Sequence, residues 1–161
     1  MHILSKNLLI NCSFFCTGHL RRRFKNLFLL IPAMSTKSRG TNAERDLIRR
    51  FWHVGWGAMR AAGSGSQQYP APDVLASNNV RTLAFECKLT TEKTKYFTKQ
   101  EVTELIYFAE KFGAEPWLAV KFFREPWYFF TVEDAKETPG SFVVTLAQAK
   151  SRGLTFEELI A

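Results

Sequence analysis

Asp73, Glu86 and Lys88 are the residues of this sequence whose types and spacing suit chemistry. Glu86 and Lys88 lie two positions apart in residues 81–89, an apolar run that reads as a strand. Side chains alternate along a strand, so Ala84, Glu86 and Lys88 share one face while Leu83, Phe85 and Cys87 share the other. Burying a carboxylate and an ammonium is costly unless they pair or serve a site. Asp73 follows Pro72 and opens an earlier strand, residues 73–76, and the turn Ser77-Asn78-Asn79 joins the two strands into a hairpin. That hairpin brings Asp73 to Glu86. Two carboxylates so placed can share a divalent cation, with a backbone carbonyl and waters completing an oxygen shell suited to Mg²⁺, or to Mn²⁺ in its place. Lys88 then stands beside a metal-bound water or the phosphate it attacks, which is the chemistry of phosphodiester hydrolysis. The plainer alternative is a surface ion pair on a half-exposed strand. Asp73 at hairpin distance, directly after a rigid proline, favours a site.

The elements around these residues supply a third carboxylate. Thr41-Asn42-Ala43-Glu44 has the form of a capping box and predicts a helix from there to about Val54, closed by Gly55 and Gly57. Glu44, Leu47, Ile48 and Phe51 follow helical spacing, so Glu44 faces the sheet and is expected to join Asp73 and Glu86 at the metal. Arg45, Arg49 and Arg50 fall on the other faces, suited to phosphate or to solvent. A short strand at 59–62 leads to a loop, residues 63–72, rich in Gly, Ser and Pro. Thr98-Lys99-Gln100-Glu101 is a second capping box, followed by the helical face Val102, Leu105, Ile106, Ala109 and Phe112. Strands are expected at 117–123 and 127–132, a strand or the start of a helix at 142–146, and a short capped helix at 155–160. This order is that of an α/β domain with a mixed central β-sheet flanked by helices. Phe122, Phe123, Trp127, Phe129 and Phe130 are more rings than one sheet face holds, which assigns most to the core and the excess to a subunit interface. Cys87 belongs with core packing and His53 with structure.

The chain has 161 residues, enough for one domain with a real core. With 46% hydrophobic and 23% charged residues it is not a disordered chain, and three cysteines make no disulfide framework. No apolar run approaches the ~20 residues of a membrane span. Lys and Arg number 22 against 15 Asp and Glu, a net charge of +7. Five of the basic residues (Lys6, Arg21, Arg22, Arg23 and Lys25) lie in residues 1–33, which hold no acidic residue. Cys12, Cys16 and His19 lack a fourth metal partner there, and an Arg-rich transit peptide fits the composition only weakly. Residues 1–33 are expected to be a disordered or non-native extension, with the start at Met34 and a nuclease domain over 34–161. That domain carries 17 basic and 15 acidic residues, and its basic surplus is concentrated between Lys37 and Arg60, next to the acidic site.

Pro72-Asp73 with Glu86-Cys87-Lys88 resembles the PD-(D/E)xK nuclease motif. With Arg39-Gly40-Thr41, Glu44-Arg45, Arg60-Ala61-Ala62-Gly63-Ser64-Gly65-Ser66, Pro70-Ala71-Pro72-Asp73-Val74 and Glu115-Pro116-Trp117, the chain resembles the archaeal Holliday junction resolvases over about residues 37–161. The resemblance implies a restriction-endonuclease-like fold and a cytoplasmic, nucleoid-associated homodimer. It also implies Mg²⁺-dependent, symmetric nicking of two opposing strands of a four-way DNA junction. By resemblance, Glu44, Asp73 and Glu86 bind metal and Lys88 acts in catalysis. A loop serine, Ser64 or Ser66, assists cleavage, and Lys37, Arg39, Arg45, Arg60 and Ser66 meet DNA. Two other readings remain beside it: another PD-(D/E)xK endonuclease, or a junction-binding protein without catalysis. Three clustered carboxylates facing phosphates are of no use to a pure binder, which weighs against the latter.

Overall fold

The computed structural model describes residues 36–61 and 69–161. The expected extension at 1–33, and Ser64 and Ser66 of the loop, lie outside the described residues.

The first element, α1 (Thr36–His53), begins five residues before the expected capping box. Thr41 is therefore inside the helix, and Glu44 is freed from a capping role. No proline interrupts Thr36 to Thr41, and Ala43, Leu47 and Phe51 supply a continuous buried stripe that carries the helix through Gly40. Gly55 closes the turn with φ of 82°, a left-handed conformation that glycine adopts without strain.

A five-stranded mixed sheet follows, in the order β1 (Gly57–Arg60), β2 (Val74–Ser77), β3 (Thr82–Thr90), β5 (Glu115–Phe122) and β6 (Trp127–Phe130). Only the β3–β5 pair is parallel, and the crossover between these strands contains β4 (Thr94–Thr98) and α2 (Lys99–Phe112). The β2–β3 hairpin forms as expected, with Val74 opposite Phe85, and Asn78 Oδ1 accepts the N–H groups of Val80 and Arg81 at 2.8 and 2.7 Å. A second, antiparallel sheet orders β4, β8 (Ser141–Thr145) and β7 (Lys136–Glu137). The two short strands β4 and β7 had no clear sequence pattern, since each gains its partners only from β8. Residues 142–146 prove to be both alternatives at once: β8 ends at Thr145, which caps α3 (Leu146–Arg152). The C-terminal α4 (Phe156–Ile160) is capped by Thr155 as its sequence predicts.

Both faces of the large sheet are covered. On one side Leu47 and Phe51 of α1 meet Leu83, Phe85, Trp127, Phe129 and Phe156. On the other, Val102 and Leu105 of α2 meet Ala84, Leu118, Phe122 and Phe130. Most of the aromatic surplus is divided between two cores, as expected, and of those five rings only Phe123 is exposed. A sheet buried on both sides needs large side chains at successive positions, not at alternate ones.

Candidate active site

β3 runs between these two cores and changes character along its length. Its first half, Leu83, Ala84 and Phe85, is fully buried, whereas Glu86, Cys87 and Lys88 reach the partly open end of the sheet. Alternation holds as expected. Cys87 packs against the α1-side core, and Glu86 and Lys88 emerge on the face that α2 covers.

Asp73 lies one residue before β2 and is fixed to β3 from two directions. Its N–H donates to the Phe85 carbonyl at 2.9 Å, and its Oδ2 accepts the Cys87 N–H at 2.9 Å. The hairpin therefore sets Asp73 beside Glu86 by backbone geometry, independent of any side-chain pairing. Burial pushes the Glu86 carboxyl up to about 7, and the neighbouring Asp73 charge pushes in the same direction against the pull of Lys88. Two carboxylates close together in a half-dry site are a donor set short of positive charge.

Lys88 is held from both sides. Its ammonium donates to Glu86 Oε1 at 2.8 Å and to Glu101 Oε1 at 2.6 Å, and it lies 6.0 Å from the centroid of the buried Phe97 ring. Burial acts to lower its pKa, but the charges and hydrogen bonds of the two glutamates outweigh it and raise it. Lys88 is thus a fixed cation at any working pH. Glu101 was legible in the sequence only as a capping-box residue. The signal that it also meets Lys88 lies in the placement of α2 over β3, which sequence does not display.

Glu44 approaches from a different element, α1. It is largely buried and faces the sheet, as its helical spacing predicts, but from the α1 side, and its carboxylate pairs with Arg60 of β1. Beside burial, the charges of Asp73, Glu86 and Glu44 all push the Cys87 thiol up, so the three carboxylates lie about one stretch of β3. Among the described residues no group of three or more His, Cys, Asp or Glu side chains is placed to hold a metal ion. Asp46, two residues on, accepts Lys121 at 3.0 Å and Trp127 Nε1 at 3.4 Å, and so ties α1 to β5 and β6.

The expected DNA contacts spread along the α1 side. Arg39 and Arg45 are exposed on α1, and Arg60 is half-buried against Glu44. Lys37 lies in α1, but its side chain, like Ser64 and Ser66, is outside the described residues.

With this geometry the chain matches known proteins closely. Residues 35–161 match the family model described as archaeal Holliday junction resolvase (Hjc). A crossover junction endodeoxyribonuclease Hjc from Archaeoglobus fulgidus is 42% identical over 108 residues, 67% of this chain and 79% of that protein. A protein of the same name from Methanocaldococcus jannaschii is 35% identical over 123 residues, 76% of this chain and 86% of that one. The solved structure of Archaeoglobus fulgidus Hjc, a Holliday junction resolvase from an archaeal hyperthermophile, superimposes with a TM-score of 0.70 at 37% identity. It covers 74% of this chain and 96% of that one, and the shared fold is restriction-endonuclease-like. The chain belongs to the archaeal Holliday junction resolvase family.

Proposed function

We infer that this protein cuts four-way DNA junctions by metal-dependent phosphodiester hydrolysis at Asp73, Glu86 and Lys88. Family membership makes it a Holliday junction resolvase, a crossover junction endodeoxyribonuclease; the reading concerns how its own residues perform that reaction. The observation that carries it is the fixing of Asp73 to β3 beside Glu86, by its N–H on the Phe85 carbonyl and its Oδ2 on the Cys87 N–H, both at 2.9 Å; burial and the Asp73 charge raise the Glu86 carboxyl in keeping with it. Such a pair gains most from a bound cation.

The donor set suits Mg²⁺, which takes one or two carboxylates, keeps several waters and coordinates substrate phosphate. Asp73 and Glu86 would hold it, and when bound it would polarise the scissile phosphate and acidify a water. Mn²⁺ fits the same oxygen set. Asp73 contributes a carboxylate whose position is fixed by the Cys87 N–H. Lys88 presents a permanent positive charge to the phosphate as negative charge develops on it. Glu44, paired with Arg60, acts from the α1 side: it orients Arg60, and with it the basic approach formed by Arg39, Arg45 and Arg60 to the DNA backbone. Symmetric cutting of two opposing strands calls for two such centres at a fixed separation, which a homodimer supplies. A DNA substrate supports a place beside the DNA of the cytoplasm. No helix among the described residues is long and apolar enough to cross a membrane.

The test uses a labelled four-way junction and a linear duplex of the same sequence, with Mg²⁺ or with a chelator. The wild type is expected to nick the junction alone and only with the metal, while Asp73→Ala binds the junction uncut. Equal cutting of the linear duplex, or undiminished cutting by Asp73→Ala, would overturn the reading.

A further inference from the structure

Glu101 carries two loads on two different oxygens. Its Oε2 accepts the Thr98 N–H at 2.8 Å and completes the capping box that starts α2. Its Oε1 accepts the Lys88 ammonium at 2.6 Å, a shorter contact than the one Lys88 makes to Glu86. The cap alone does not require a carboxylate. In α3 the equivalent position is Gln148, whose single Oε1 accepts the Thr145 N–H at 3.0 Å and closes a complete capping box. A carboxylate at position 101 supplies one acceptor more than the cap needs, and that acceptor meets Lys88.

Glu86 cannot be the sole anchor of Lys88. It is the more buried of the two glutamates, it lies beside Asp73, and any cation held by that pair competes with the Lys88 ammonium for its oxygens. Glu101 sits on a different element, stands outside the Asp73–Glu86 pair, and is itself fixed by the first turn of α2. We propose that Glu101 is a positioning residue for the hydrolysis: it holds the Lys88 ammonium in place from α2, independently of Glu86. This rests on Lys88 acting in the reaction, as inferred above.

The two loads separate by mutation because an amide has one acceptor oxygen where a carboxylate has two. Glu101→Gln keeps the size and the cap but sets an NH₂ group against the ammonium. Thr98→Ala removes the other half of the cap and leaves the carboxylate on Lys88. Full-length wild type, Glu101→Gln, Glu101→Ala, Thr98→Ala and Lys88→Ala are compared in Mg²⁺-dependent junction cleavage, at a temperature where circular dichroism shows each folded. Glu101→Gln is expected to lose about ten- to a hundredfold in kcat, the worth of a hydrogen bond to a charged group, with KM changed by less than about twofold. Glu101→Ala is expected to show the same loss in kcat together with a lower Tm. Thr98→Ala is expected to drop in Tm by several degrees, about what a lost cap costs, and to keep its kcat. Wild-type kcat in Glu101→Gln, or an equal loss of kcat in Thr98→Ala, would overturn the proposal. An inactive Lys88→Ala beside a fully active Glu101→Gln overturns this proposal alone; a fully active Lys88→Ala overturns the inference that Lys88 takes part.

Discussion

β3 has a charged cluster at each end, built from the same residue types and tuned in opposite ways. Just before the strand, Arg81 grips Glu115 of β5 with two parallel hydrogen bonds of 2.8 Å and donates a third, at 2.9 Å, to the Leu159 carbonyl of α4. That cluster is balanced and partly exposed. The Arg81 hydrogen bonds hold the Glu115 carboxyl below the ordinary range. Near the far end, Lys88 faces Glu86 and Glu101 with Asp73 adjacent, so acids outnumber the base, and the Glu86 carboxyl rises to about 7. The first cluster is satisfied by the fold itself and clamps the hairpin turn, β5 and the C-terminal helix together. The second is left short of positive charge. The difference is that expected between a structural ion pair and a site.

The comparison breaks most visibly at Glu86. Glu86→Gln is expected to cut junctions about 10²–10³ times more slowly, as for loss of one electrostatic contact in a reacting site. Its thermal midpoint should match or exceed that of the wild type, because the substitution removes a repelled carboxylate. Cleavage time courses and differential scanning calorimetry on one preparation measure both; a fall in both together would make the two ends of β3 alike. Mg²⁺ provides the next contrast. At about 100 times its Kd a cation stabilises the fold by about 2.7 kcal/mol, and this gain should vanish in Asp73→Ala but persist in Arg81→Ala. Thermal shift with and without the metal reads it.

Arg81→Ala is expected to do the reverse of Glu86→Gln. It should lower stability by about 1–2 kcal/mol, discounted for the partial exposure of the pair, while kcat at a temperature below the melting range stays near wild type. Urea unfolding monitored by tryptophan fluorescence gives the first quantity. The smallest effect is a pH trend. Glu86 has its folded pKa raised from 4.5 to about 7, so in the folded protein it holds a proton that the unfolded chain has already released. Its contribution to stability is full below pH 4.5 and is lost as the pH rises to about 7. Urea midpoints in chelator should therefore carry a downward component between these pH values that Glu86→Gln lacks. A mutant with the same slope as wild type would assign the trend elsewhere.

Much of the site was legible because it depends on short-range rules. The alternation along β3 separates Cys87 from Glu86 and Lys88, the Ser77-Asn78-Asn79 turn returns β2 along β3, and Pro72 marks the strand start next to Asp73. Each follows from local backbone geometry that the residues themselves dictate. The Thr98–Glu101 capping box was legible on the same grounds. Glu44 shows where such reasoning stops. Helical spacing correctly turns it toward the sheet, yet spacing carries no information about the partner it meets there, which is Arg60 of β1. The start of α1 was placed late for a related reason: a capping box in the sequence competes with continued helix, and the buried stripe from Ala43 to Phe51 decided in favour of continuation.

The sequence by itself thus determined the candidate site residues, the hairpin that unites Asp73 with Glu86, and the α/β order of the chain, because strand alternation, turn chemistry and capping act over a few residues. Tertiary structure alone decided that the aromatic strands fill two cores, that Glu44 pairs with Arg60, that Arg81 clamps the C-terminal helix, and that Glu101 reaches Lys88. These contacts join residues on separate elements, and their partners are chosen by how helices and sheets bury their apolar faces against one another, a choice no local pattern contains.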